Sequence, residues 1–364
     1  MYKVSPPFES NLQVFLFLFI LIVLLASPLI PTMLLDMKPS EKYQSVPLKY
    51  SNYHFIGEEM ELGGEIDVLF IGSSDAWTAF NAPYISKMLS KDLGRKVRVS
   101  NFGTNWFGAE SYYIRLKDTL EVIKPKVVVM PDSSAGANYP HELTHFVWSE
   151  PQQIPYTAIS LRQRLTLYGA GLLGSPYQTY AKLVKIWEKQ PRAQWVSSLK
   201  FFRDNDGFMG EENGWLSHWD PDRDNRSEYK EITYEPTTLS IEEMTYTNQK
   251  DEKFEDLHYK YNKYQTFFIK KMAEITNEMG AKFITVSIPT HFKEGKVLEK
   301  SVYRHLHDNE VKSWLHIGIS MTDLFHGSSY KEMTPFYSNE SHLNKSGATV
   351  FSQSLVPILK KELE

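Results

Sequence analysis

The chain contains no cysteine, which removes thiolate nucleophiles, disulfide frameworks and cysteine-ligated metals in one stroke. An excess of one charge is also missing. Forty basic residues stand against 44 acidic ones, a formal net charge of -4. With no strongly basic stripe, nucleic acid is not an expected partner. No internal repeat is evident, which argues against repeat architectures. Long hydrophobic runs are scarce too, with one exception at the start. Leu12 to Leu25 (LQVFLFLFILIVLL) holds almost nothing polar, and the apolar character continues weakly through Pro28, Ile30 and Pro31 to Leu35. About 20 such residues cross a hydrocarbon core. The alternative is a cleaved signal peptide. The run is long for that, and Ala26, Ser27 and Pro28 make a poor cleavage site. Residues 12–35 are therefore expected to be a retained transmembrane anchor in the lipid bilayer, behind a short tail at 1–11. Lys3 and Glu9 are the only charges before the span, so flanking charge barely orients it. A single N-terminal span followed by a large domain usually exports that domain, so an extracytoplasmic location is expected.

Beyond the span, residues 36–64 read as a polar juxtamembrane linker, and 65–364 as one α/β domain. Ile66 to Ile71 (IDVLFI) is a short apolar run suited to a strand buried on both faces. A helix is expected around Tyr84 to Leu93, a strand over Lys96 to Phe102, a helix over Glu110 to Ile123 and a strand at Val127 to Met130. This alternation predicts βαβ units and a parallel sheet. The rhythm lapses at about 135–250, a segment rich in Trp, Tyr, Pro and charge, expected to be an inserted cap. It resumes with a helix from Glu252 to Met279 closed at Gly280, whose stripe runs through Phe254, Tyr261, Phe268 and Ile275. A strand at Phe283 to Ile288 follows, then one within Leu315 to Leu324, and a helix from Lys345 to about Leu359 that Pro357 is expected to kink.

In an open parallel sheet, ligands bind outside the carboxyl ends of the strands. Gly72-Ser73-Ser74-Asp75 follows the first strand, Asn101-Phe102-Gly103-Thr104-Asn105 the second, and Asp132-Ser133-Ser134 the third. Asn339-Glu340-Ser341-His342-Leu343-Asn344 precedes the last helix. Serine is a poor nucleophile at neutral pH and needs a base within hydrogen-bond reach and donors aimed at the developing oxyanion. The sequence offers a serine at one strand end, a glycine amide at the next, and a histidine arriving from the C-terminus. Singly, each has a plainer explanation, as a turn or a structural histidine. Their order and placement together point to acyl chemistry.

The set resembles the SGNH (GDSL-type) hydrolase superfamily. In particular it looks like the membrane-anchored branch that includes the D-alanyl-transfer protein of teichoic-acid modification and the alginate O-acetylation proteins. Gly72-Ser73-Ser74 matches the nucleophile block, and its ending in Asp75 is similar to the D-alanyl-transfer branch. Gly103 matches the oxyanion glycine. His342-Leu343-Asn344-x-x-Gly347 matches the last block, with His342 as base. The resemblance covers roughly residues 64–134 and 250–364. It implies a flavodoxin-like three-layer α/β/α sandwich and an esterase or O-acyltransferase acting on acyl esters of a cell-surface glycan, without a cofactor. It also implies a membrane-bound O-acyltransferase as partner. The Ser74 and Gly103 amides would hold the oxyanion, with Asn138 a distant candidate for the third donor. Asp75, Asn105 and Trp106 would meet substrate. Where the family has an aspartate three residues before the histidine, this chain has Asn339. Three alternatives follow: Glu340 substitutes, a Ser-His dyad suffices, or the fold survives as a glycan-binding or assembly protein without turnover.

A rival motif is His141-Glu142-Leu143-Thr144-His145, the H-E-x-x-H pattern of zinc metallopeptidases. Pro140 confines His141 to the start of any helix, and no third ligand announces itself, so no metal is expected. The aromatics Trp106, Phe107, Trp148, Trp195, Trp215 and Trp219 would suit a sugar groove, although aromatic packing explains them more cheaply.

Overall fold

The computed structural model describes residues 7–8, 10–26, 37–44, 52–104, 108–132, 140, 160–188, 239–248, 263–289, 300–309, 311–325, 336–337 and 342–364. Within them the chain is mixed α/β. Three helices come first, α1 (Asn11–Ala26), α2 (Pro39–Gln44) and α3 (Asn52–Leu62), followed by β1 (Gly64–Gly72), α4 (Ser74–Ala79), α5 (Ala82–Leu93) and β2 (Val99–Gly103). Next are α6 (Ala109–Leu120), β3 (Ile123–Pro131), α7 (Leu161–Glu188), β4 (Thr245–Asn248), α8 (Lys263–Glu278) and β5 (Lys282–Ser287). The last elements are β6 (Val302–Asp308), β7 (Lys312–Gly318), α9 (Met321–Phe325) and α10 (Lys345–Leu363).

The seven strands form one sheet in the order β2-β1-β3-β5-β7-β6-β4. The first five run parallel; β6 is antiparallel to β7, and β4 lies parallel to β6. The buried run of β1 explains its central place. Leu69 and Ile71 enter one core and Val68 and Phe70 the other, the two-residue alternation of a strand covered on both faces. One face packs against α6 and α8 through Ile114, Leu116, Phe268 and Met272. The opposite face packs against α5 and α10 through Ile85, Leu89, Phe351 and Leu355.

Several expectations need correction. Residues 36–64 are not simply a linker: α2 and α3 dock on the first face, with Tyr43 and Tyr53 buried and their rings stacked 5.9 Å apart. Lys42 Nζ meets Asp118 Oδ2 of α6 at 2.5 Å, and the Tyr43 hydroxyl donates to the same oxygen at 2.7 Å. The segment at 135–250 is not wholly a cap, because its last part, β4, extends the sheet along β6. The expected strand within Leu315 to Leu324 begins earlier, at Lys312. Pro357 lies inside α10, which continues to Leu363. The strand expected from Lys96 starts at Val99. Residues 249–262, including Phe254 and Tyr261, lie outside the described residues. Met279, at the end of the expected stripe, is exposed. The stop at Gly280 stands, with the Ala281 amide donating to the Thr276 carbonyl at 3.1 Å.

Among the described residues no helix is long and apolar enough to cross a membrane. Helix α1 covers 16 residues, with Leu12, Phe15, Phe19 and Ile22 exposed; residues 27–36 lie outside the description.

Candidate active site

β1 ends at Gly72, and the chain turns directly into α4. Ser73 caps this helix, its Oγ accepting from the Asp75 amide at 3.3 Å, and the Trp77 amide donates to the Ser73 carbonyl at 3.1 Å. Ser74 is thus the first helical residue, and its N–H has no intrahelical partner. Asn101 on β2 holds the other end of α4. Its amide nitrogen donates to the carbonyls of Ala76 at 2.9 Å and Phe80 at 3.1 Å. Its oxygen accepts from Gly103 N–H at 2.9 Å. The Gly103 amide, expected to face the oxyanion, donates to the Asn101 side chain. The glycine also serves close packing. A Cβ there would stand 2.4 Å from the Trp77 nitrogen, so β2 and α4 meet backbone to backbone.

His342 arrives from the segment before α10, and the motif around it has a physical account. Leu343 is buried and bridges Tyr337. Asn344 caps α10 by accepting from the Gly347 amide at 3.0 Å. Gly347 leaves room for the Phe336 carbonyl, which would lie 2.1 Å from a Cβ. A second clamp lies nearby. The Asn81 amide donates to Ser352 Oγ at 2.8 Å and its side-chain nitrogen to Thr349 Oγ1 at 3.0 Å. The link after α4 is thereby tied to the first turns of α10.

These fixings bring His342 Nε2 to 2.9 Å from Ser74 Oγ, across 268 positions of sequence. The same nitrogen lies 3.5 Å from Asp75 Oδ1. His342 is 7% exposed and Asp75 9%, while Ser74 is half-buried. Burial holds the imidazole below its usual value, and the Asp75 carboxylate opposes that shift. The ring is therefore neutral at pH 7 and able to accept a proton. Asp75, expected to contact substrate, instead faces the base.

Arg115 on α6 lies deeper and is fully buried. It donates to the carbonyl of Phe102, lies 3.4 Å from that of Gly72, and sits over the rings of Tyr53 and Tyr112. The Tyr112 hydroxyl meets the Ser73 side chain, and burial pushes its ionisation upward, so it stays protonated. Nothing in the sequence around Arg115 marks it; a basic residue on a helix face reads as solvated until the packing is known. A second Ser, His and Asp group lies among the strand ends. Ser287 Oγ donates to Asp132, whose carboxylate is 3.9 Å from His316 Nε2, while His316 Nδ1 meets Thr285 Oγ1 at 3.0 Å.

Of the other expected site residues, Asn105, Trp106, Asn138, Asn339 and Glu340 lie outside the described residues. So do His141 and His145, together with Phe107, Trp148, Trp195, Trp215 and Trp219. Among the described residues no cluster of three or more His, Asp or Glu could hold a metal ion. What the fold and site define is a serine–histidine pair at the carboxyl edge of a mostly parallel sheet. Comparison with family models, with curated proteins and with solved structures finds no match.

Proposed function

We propose that this protein is a membrane-anchored serine esterase or O-acyltransferase, similar to SGNH hydrolases, that acts on acyl esters of a cell-surface glycan. Its main support is the 2.9 Å contact between His342 Nε2 and Ser74 Oγ, made by a neutral imidazole at a strand end where ligands bind in such sheets. Sheet order and helices on both faces fit a flavodoxin-like three-layer sandwich. Parts of 135–250 outside the sheet would form the cap. The exposed apolar side chains of α1 fit a helix whose solvent is lipid. Its 16 residues span ~24 Å, against the ~30 Å of a bilayer core, and the sequence stays weakly apolar toward Leu35.

In the reaction, Ser74 Oγ attacks the acyl carbonyl as His342 Nε2 takes the hydroxyl proton. The carbonyl electron pair moves onto oxygen, where the Ser74 N–H at the start of α4 can meet it. Collapse breaks the ester bond, and the departing alkoxide takes the proton from Nε2, leaving acyl-Ser74. A glycan hydroxyl or water then gives its proton to His342 and attacks the acyl carbon; the acyl–Oγ bond breaks and Ser74 Oγ takes the proton back from Nε2. Transfer and hydrolysis differ only in which hydroxyl reaches the acyl-serine. A membrane-bound O-acyltransferase that delivers the acyl group would be a fitting partner. The test is labelling of the full chain in detergent by a fluorophosphonate, which should modify the wild type and leave Ser74→Ala unmodified. Equal labelling of the two would remove Ser74 from its role.

A further inference from the structure

We infer that Asp75, the residue directly after the nucleophile, supplies the negative charge that stabilises the His342 imidazolium during acyl transfer. This rests on the roles just given to Ser74 and His342. The first turn of α4 places Asp75 beside the imidazole. Its Oδ1 lies 3.5 Å from Nε2, the same nitrogen that Ser74 Oγ faces at 2.9 Å. A triad aspartate ordinarily acts from the far ring nitrogen, where it fixes the tautomer and meets the new charge. Asp75 acts from the near side. There it leaves the tautomer to other groups, but it stands next to the atom on which the proton arrives. Both groups are buried, so water screens their attraction little.

Asn339 offers an amide where the resemblance expects a carboxylate, and a charge at Asp75 would stabilise the imidazolium from the other side. Of the described groups near the ring, Asp75 on α4 is the charge that acts on it, favouring the protonated form against burial. Tyr112 on α6 meets Ser73, Arg115 lies against the Phe102 and Gly72 carbonyls, and Asp132 after β3 is held by Ser287.

Two measurements on the full chain test this. In the first, an NMR titration follows His342 in the wild type, Asp75→Asn and Asp75→Glu. An opposite charge this close moves a midpoint by about 1–3 pH units. The asparagine variant should therefore titrate at least ~1 unit lower, and the glutamate variant should return most of the way. In the second, the fluorophosphonate labelling rate is followed against pH. For Asp75→Asn the plateau should fall roughly 10–100-fold, with the acid limb moved to lower pH and partial recovery in Asp75→Glu. A His342 midpoint unchanged in Asp75→Asn, with labelling on the wild-type profile, overturns the inference while leaving Ser74 as nucleophile. Absence of labelling in the wild type would instead overturn the functional reading beneath it.

Discussion

Among the described residues are two groups of serine, histidine and aspartate at the strand ends, and they differ in what each histidine touches. In the first, the imidazole nitrogen faces the serine hydroxyl directly, and the serine is half-buried. In the second, the aspartate stands between: the Ser287 hydroxyl donates a hydrogen bond to Asp132, and His316 turns one nitrogen to Thr285. All three members of that group are nearly sealed, at 5%, 3% and 2% exposure for Ser287, His316 and Asp132. A hydroxyl that donates to a carboxylate has no free base to activate it. The same residue types thus make the proposed reactive centre in one place and a buried polar cluster in the other. Order of contact and access decide between them.

Several outcomes would sharpen or break this contrast. The largest concerns the serines themselves. Ser74→Ala should abolish fluorophosphonate labelling, a loss of at least ~10³-fold, whereas Ser287→Ala should label at the wild-type rate. Loss of labelling in both variants would erase the distinction. Next comes Asn101→Ala, which leaves the buried Gly103 amide and the Ala76 and Phe80 carbonyls without its side chain. The two carbonyls keep the Phe80 and Ala82 amides, so a loss of about 1–3 kcal/mol is expected in urea unfolding, with slower labelling as α4 loosens. Ser287→Ala removes one donor from buried Asp132 and should cost about 1–3 kcal/mol, visible in thermal unfolding and not in labelling.

The smallest effect is in pH dependence. Burial lowers the proton affinity of His342 in the folded chain, so between that lowered value and the ordinary ~6.5 the unfolded chain binds more protons. Its contribution to stability is full above ~6.5 and is lost as pH falls through that window. Labelling should fall over the same acid range, and His342→Gln should flatten this part of the stability profile.

Much of the first group was legible in the sequence, and almost none of the second. IDVLFI followed by Gly-Ser-Ser announces a buried strand ending in a turn, and His-Leu-Asn-x-x-Gly carries its own cap and close approach. The far side of the sheet gave weaker signals. β6 (VYRHLHD) mixes histidine and arginine into its pattern, with its middle positions only half-buried, and β4 is four residues long at an edge. Edge strands lack the continuous apolar run that identifies a central one. Lys42 and Asp118 carry no mark of burial in the sequence; their ion pair, with the Tyr43 hydroxyl on the same oxygen, accompanies it. The contacts of Asp75 with His342 and of Gly103 with Asn101 were not legible, because sequence position fixes where the backbone goes but not which way an amide or carboxylate turns.

The contact between Ser74 and His342 also has a bearing on time. The nucleophile is made 268 residues before its base, and at ~5–20 residues per second the interval is roughly 13–54 s. Throughout it the nascent chain carries the strand, the turn and the hydroxyl without the imidazole that faces it in the fold. Under the proposed function, acyl transfer would wait for the last segment of the chain.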